Sequence, residues 1–288
     1  MRFLDAFFAL RPLVLVPAWS FFLLGSDPAS DFHALRFALL SAVLAGAYLV
    51  NQVTDFDSDR LNGKGLFLQR GIFSRRAYVV CGVALAAGAI AIALSRRDGA
   101  AWLVLAAALG FAYSVPPLRL VARPGLDLVA NAIGYGGVAL VLGATSWYAA
   151  GPLRLVACGL AVACVFLHTT LMDLDGDRRT GKRTTGVVLG PLRARTWAAV
   201  AGIAAAACAI AARAPDIAAA ASVTALLAIV AGVRPAWVSS RTIVVGATAA
   251  FALAAGVRFP WFLVGLVLLA LATRAYYRRR FALAYPAL

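Results

Sequence analysis

Glutamate is absent from this sequence; all twelve acidic residues are aspartate. Charge of either sign is scarce, at 14% of 288 residues against 63% hydrophobic, with a mean hydropathy of +0.87. That balance excludes an ordinary soluble globular domain, in which about a quarter of residues are charged. The four cysteines, Cys81, Cys158, Cys164 and Cys208, fall inside apolar runs without metal-ligand spacing, so they read as buried packing residues rather than a metal site. No apolar run alternates with polar residues as a barrel strand does, and a lipid-exposed backbone must satisfy its own hydrogen bonds, so the runs are expected to be α-helices. The first run lacks a small-residue cleavage site, and no removable leader is expected.

Apolar runs are what the chain has in abundance. Ten of them, near residues 10–25, 34–53, 76–95, 99–113, 126–148, 152–172, 194–212, 215–233, 242–257 and 260–277, approach the roughly 20 helical residues needed to cross a hydrocarbon core of ~30 Å. The expected fold is all-α, a polytopic membrane bundle of nine or ten helices forming one domain over residues 1–288, around a central cavity open to the cytoplasmic side. The net charge of +15 fits topology better than nucleic acid. With a cytoplasmic N-terminus and ten crossings, 21 of the 27 basic residues fall on the cytoplasmic side, as the positive-inside rule requires. The C-terminal stretch 274–288, with its tyrosines and arginines, reads as an anchor at the membrane surface.

Six of the twelve aspartates lie in two short clusters, Asp55, Asp57, Asp59 and Asp173, Asp175, Asp177, at the ends of the second and sixth runs. Both ends face the same side. Asn51, Asp55 and Asp59 follow an i, i+4, i+8 spacing that puts them on one helical face, with Tyr48 one turn deeper; Asp173 and Asp177 share a face with Thr170 and Phe166. Asp57 and Asp175 point elsewhere. Two sets of hard oxygen donors across one cavity suit Mg²⁺, which is commonly completed by substrate phosphates, and a diphosphate would bridge two such ions. Each cluster runs on into similar basic text, "DRLNGKG" and "DRRTGKRTT", in which Arg60, Lys64, Arg178, Arg179, Lys182 and Arg183 are candidates to contact that diphosphate or, equally, lipid headgroups.

"NQVTDFDSD" and "DLDGDRRTGKRTT" resemble the two aspartate motifs of the UbiA family of membrane prenyltransferases. The segment "GFAYSVPPLRLVARPGLDLVANAIGYG", residues 110–136, resembles that family's connection between the fourth and fifth helices, and "RPLVLVPAW" its first helix. The resemblance covers residues 10 to 190. Gln52 stands where the family usually carries aspartate, and Arg119 and Arg123 where a lysine often follows the tyrosine of the connection. The resemblance implies transfer of an isoprenyl group from a prenyl diphosphate to a lipophilic acceptor in the bilayer. It implies two Mg²⁺ held by Asn51, Asp55, Asp59, Asp173 and Asp177, with the four aspartates catalytic and Arg11, Tyr48, Asn51, Lys64, Tyr113, Arg119, Arg123, Asn131 and Lys182 binding substrate. Tyr48, Tyr113 and Phe166 are candidates to face an allylic cation.

A terpene cyclase on the same scaffold would use the same metals and remains open. A cation-coupled transporter is disfavoured, because its acids would sit near the bilayer midplane rather than beside basic loops. A head-group phosphotransferase is disfavoured because its D-x-x-D-G-x-x-A-R pattern is absent. His168 lies off the Asp173 and Asp177 face; a hydrogen bond within the bundle is the main expectation and a role as base the alternative. His33, at the far end of its span, is expected to be uninvolved.

Overall fold

The structure, a computed structural model, describes residues 2–29, 32–64, 66–144 and 146–285; the Arg2 side chain and positions 286–288 of the expected C-terminal anchor lie outside them. No strand occurs among the described residues. Ten apolar helices follow one another: α1 (Phe3–Gly25), α2 (Ala34–Thr54), α3 (Arg75–Arg96), α4 (Ala100–Ser114), α5 (Leu126–Ala144), α6 (Pro152–Met172), α7 (Thr185–Ala211), α8 (Pro215–Val233), α9 (Ser240–Arg258) and α10 (Pro260–Phe281). Their starts carry local signals. Ser74, Thr184 and Ser239 accept a backbone N–H of the first turn of α3, α7 and α9, and Pro152, Pro215 and Pro260 open α6, α8 and α10.

Contacts at the helix ends establish direction. On one face Asn51 meets Ser114, Asp127 meets Thr185, His168 meets Ser240, and Asp5 of α1 bonds Tyr276 of α10. On the other face Arg154 and Arg258 both donate to Leu24 O at the end of α1, Arg258 also pairs with Asp216, and Arg36 pairs with Asp98 in the α3–α4 turn. Every helix therefore runs from one face to the other, and the first and last helices meet at the aspartate face. Among the described residues nine are long and apolar enough to span a membrane. The tenth, α4, has 15 residues, a length of about 22 Å, and still joins the two faces. The chain is an integral, multi-pass membrane protein.

Small residues bring the helices together, as expected where lipid removes the usual hydrophobic gain. A Cβ on Gly46 of α2 would lie 2.4 Å from the Gly82 carbonyl oxygen of α3, so only glycine permits that approach. Large apolar side chains instead cover the outside, with Val257, Leu192 and Val264 well exposed. In the middle of α5, Ala132–Val138 takes up π-helical winding, an irregularity that often marks functional sites. Gly136 packs that segment directly on the α6 backbone at Cys158 and Gly159.

Candidate active site

Neither aspartate motif is one continuous helix. α2 stops at Asp55, whose φ of −97° and ψ of 13° leave the helical region, and a six-residue helix, Phe56–Leu61, follows. α6 stops in the same way at Asp173, φ −100° and ψ 1°, before Leu174–Arg179. Each short helix ends in a glycine with positive φ, Gly63 at 68° and Gly181 at 71°. The next N–H then bonds back to the motif aspartate's carbonyl, Lys64 N to Asp59 O at 2.7 Å and Lys182 N to Asp177 O at 2.8 Å. This is a Schellman ending, used twice. It sets a lysine at the same place in each motif.

The two motifs dock through Asn62, whose Oδ1 accepts the Gly176 N–H at 3.1 Å and whose amide donates to Asp173 O. A Cβ at Gly176 would lie 2.4 Å from Asn62 Oδ1 and would push the Asn62 amide out of this contact. Docking crosses the lysines over. Lys64 of the first motif pairs with Asp173 of the second, while Lys182 of the second lies 2.9 Å from Asp55 Oδ2 and 3.7 Å from Asp177 Oδ1.

Asn51, Asp55, Asp59, Asp173 and Asp177 line one cavity of about 260 Å³, together with Tyr48, Tyr113, Asn131, Arg11, Lys64 and Lys182. Phe166 and Thr170 also reach it, and Asp57 and Asp175 are exposed away from it. Its deeper wall is apolar, with Leu44, Ala106 and Leu109. Burial dominates the electrostatics at the motifs. The Asp177 carboxyl is pushed up to about 6 by burial, against the pull of Lys182, and Asp59 is raised by burial, against the pull of Arg11 and Lys64. Asn51 donates to Asp55 Oδ2 at 3.0 Å and to Ser114 at 3.1 Å. The other Asp55 oxygen, Oδ1, is buried without a hydrogen-bond partner.

Several expected contacts are not brought to the cavity. Arg119 is exposed, and Arg123 is exposed and folded back on its own loop, donating to Pro117 O at 2.9 Å, because the turn after α4 directs both outwards. Arg60, Arg178, Arg179 and Arg183 are also exposed, so of the six basic candidates after the motifs only the two lysines line it. His168 is fully buried and its Nδ1 lies 3.2 Å from Ser240 Oγ; it is not part of the cavity wall. Gln52 is buried and donates to Ala9 O and Tyr48 O. Sequence reasoning passed over Asn62, whose docking role has no local signal, and Tyr135, which the π-helical winding of α5 turns into the cavity.

Residues 14–243 match the UbiA prenyltransferase family. The chain belongs to that family. Among curated relatives, the digeranylgeranylglyceryl phosphate synthase of Thermococcus gammatolerans is 28% identical over 63% of this chain and 65% of its own length. The lycopene elongase/hydratase of Halobacterium salinarum is 34% identical over 53% of this chain and 56% of its own. The chain thus matches less than two thirds of the length of these curated relatives. A solved UbiA homologue from Archaeoglobus fulgidus, bound to DMAPP and Mg²⁺, superposes with a TM-score of 0.72 at 22% identity, covering 92% of this chain and all of that one. The same homologue bound to GPP and Mg²⁺ gives 0.70. At that identity the likeness concerns the fold.

Proposed function

We propose that this protein, acting as a single catalytic domain, transfers an isoprenyl group from a prenyl diphosphate to a lipophilic acceptor, using two Mg²⁺, with its cavity open to the cytoplasm. The observation that carries this reading is the pair of aspartate motifs facing each other across one cavity, held by crossed lysines and leaving Asp55 Oδ1 buried and unpartnered. Solved UbiA relatives bound to DMAPP or GPP with Mg²⁺ support it.

The residues fit the metal. Among the described residues no three carboxylates, histidines or cysteines close into a ready-made cage. Mg²⁺ does not need one, since it keeps several waters and is usually held by one or two carboxylates plus substrate phosphates. Asn51, Asp55 and Asp59 would hold one ion and Asp173 and Asp177 the other. Bound Mg²⁺ supplies the positive charge that makes a diphosphate a better leaving group.

The chain's own groups do the rest. Lys182 and Lys64 neutralise the carboxylates while no cation is bound and are free to turn to phosphate oxygens when one is, as point charges on flexible stems. Asn131 and Tyr113 offer neutral polar contacts beside them. Leu44, Ala106 and Leu109 exclude water from the isoprenyl chain. Tyr48, Tyr135 and Phe166 line the space where positive charge would develop as the C–O bond breaks.

The test is incubation of purified protein with Mg²⁺, prenyl diphosphates of graded length and candidate acceptors, followed by mass spectrometry. Prenylated acceptor is the expected product; a cyclic hydrocarbon formed without acceptor would assign a cyclase instead. Asp55→Asn and Asp177→Asn should each abolish metal-dependent diphosphate release in a protein that remains folded. Near-normal turnover in both would refute the assignment.

A further inference from the structure

Asp127, the second residue of α5, is fully buried, and among the described residues no lysine or arginine pairs with it. Its carboxylate is held by neutral donors alone. Oδ2 accepts the Thr185 N–H at 2.7 Å, and Oδ1 accepts the Thr185 hydroxyl and, at 2.8 Å, the Leu128 N–H. The Thr185 oxygen in turn accepts the Gly125 N–H at 2.7 Å. Thr185 opens α7 and Leu128 lies in the first turn of α5, so one carboxylate joins the starts of two helices, where free N–H groups and the helix dipoles favour negative charge.

Neither Asp127 nor Thr185 lines the cavity, but their neighbours in the chain do. Lys182 and Thr184 precede Thr185, and Asn131, whose amide donates to Asp127 O at 2.8 Å, follows Asp127 by one turn. The segment from the second motif to α7 is tied at both ends. At one end the Lys182 N–H bonds Asp177 O at 2.8 Å. At the other, Thr185 is bound to Asp127, and a Cβ at Gly186 would lie 2.3 Å from Thr170 Oγ1, so the start of α7 presses on α6 as well. Only Arg183 and Thr184 lie between, and Thr184 is committed to capping α7. The backbone of Lys182 has no slack, and its ammonium stays between Asp55 and Asp177.

Stability alone does not call for such a tie. A buried charge is costly to desolvate, and apolar groups of similar volume hold helices together as well or better. What a carboxylate adds is register, because it has acceptor sites only and admits donors at set positions.

We propose that Asp127 is a positioning residue for the diphosphate: through Thr185 it fixes the backbone that presents Lys182, so that the ammonium meets the leaving group. The inference rests on the transferase reading and deepens it. Asp127 itself touches neither the diphosphate nor the metal, and its effect on the reaction passes through Lys182.

The experiment measures, on the full-length protein in nanodiscs, the affinity for inorganic pyrophosphate with Mg²⁺ by calorimetry, and alongside it kcat and KM for diphosphate release from a prenyl diphosphate. Asp127→Asn puts amide donors where the Thr185 donors need an acceptor. Thr185→Val keeps the backbone bond and the shape but loses the hydroxyl, whereas Thr185→Ser keeps both bonds. A hydrogen bond to a charged group is worth about tenfold or more in affinity, so Asp127→Asn should weaken pyrophosphate binding and raise KM by about that factor. Its kcat should stay within about threefold of wild type, because a loosened fold would instead reduce the active fraction and lower kcat at unchanged KM. Thr185→Val should act in the same direction by about threefold, and Thr185→Ser should bind as wild type does. In a Lys182→Met background Thr185→Val should cost nothing further, as holds for groups that act through one another. Unchanged pyrophosphate affinity in Asp127→Asn and Thr185→Val, a loss confined to kcat, or an equal loss with and without Lys182 would overturn the inference. If Asp127→Asn does not fold, Thr185→Val decides by itself. If the wild type binds no pyrophosphate with Mg²⁺, it is the transferase reading that fails.

Discussion

Lys182 is the residue on which the cation-free site depends most. Its ammonium is largely buried between Asp55 and Asp177, themselves largely buried, and removing one partner of such a group leaves uncompensated charge costing about 3 kcal/mol or more. Lys182→Met should therefore lower the thermal unfolding temperature in detergent without divalent ions, and Mg²⁺ should recover more stability in the variant than in the wild type. Asp177 gives the site a pH dependence whose sign follows from burial. Its carboxyl is raised from an ordinary value of 3.8 to about 6, so its contribution to stability without metal is full below about pH 4 and is lost as pH rises through 6. Metal binding runs the other way, because the proton competes with Mg²⁺. Mg²⁺ affinity measured by calorimetry should weaken as pH falls through about 6, and Asp177→Asn should remove that inflection. Flat affinity between pH 5 and 7 in the wild type would contradict this.

At the scale of elements, the two aspartate motifs are the same device used twice: a helix stopped by aspartate, a six-residue helix and a glycine ending that presents a lysine. The sequence shows the repeat as similar basic text, and the i, i+4 spacing of Asp55 with Asp59 and of Asp173 with Asp177 places the right carboxylates together although neither helix continues through its motif. The spacing works because the break at Asp55 or Asp173 changes the backbone by about one residue and the next N–H still bonds four residues back. The π-helical segment of α5 is another element-scale feature, and it depends on close contact with α6. A Cβ on Gly136 would lie 2.7 Å from Gly159 N and 2.8 Å from the Cys158 backbone, whereas Gly137 has open space. Gly136→Ala should destabilise the fold by about 1–3 kcal/mol through overpacking and reduce diphosphate release. Gly137→Ala should leave stability unchanged or slightly raised. Thermal unfolding and turnover of the two variants side by side test this.

For the whole molecule, ten alternating helices put the aspartate motifs, α1's start and α10's end on one face. By the sequence count that face also receives 21 of the 27 basic residues, which supports the proposal that it faces the cytoplasm. In a cysteine-free background, a membrane-impermeant thiol reagent added from the cytoplasmic side should label Asp175→Cys and Leu283→Cys, while Tyr148→Cys should react only from the opposite side. Labelling of positions 175 and 283 from opposite sides would mean that an odd number of helices cross between them and would break the alternation of α7 to α10.

The sequence by itself determined that this chain lives in a bilayer, where its apolar runs lie and which carboxylates share a helical face, because hydropathy and helical periodicity are local properties; it left nine or ten crossings open. It did not determine which cations serve the site. Six basic residues follow the motifs with similar credentials, and Arg119 and Arg123 follow α4, yet of these eight only Lys64 and Lys182 join Arg11 in lining the cavity. That choice depends on Schellman endings and on the docking of Asn62 against Gly176, 114 residues away. The tie between Asp127 and Thr185 is less legible still, since 58 residues separate its two ends. Only the packing of distant helices brings such groups within reach of one another, and no local pattern encodes that distance.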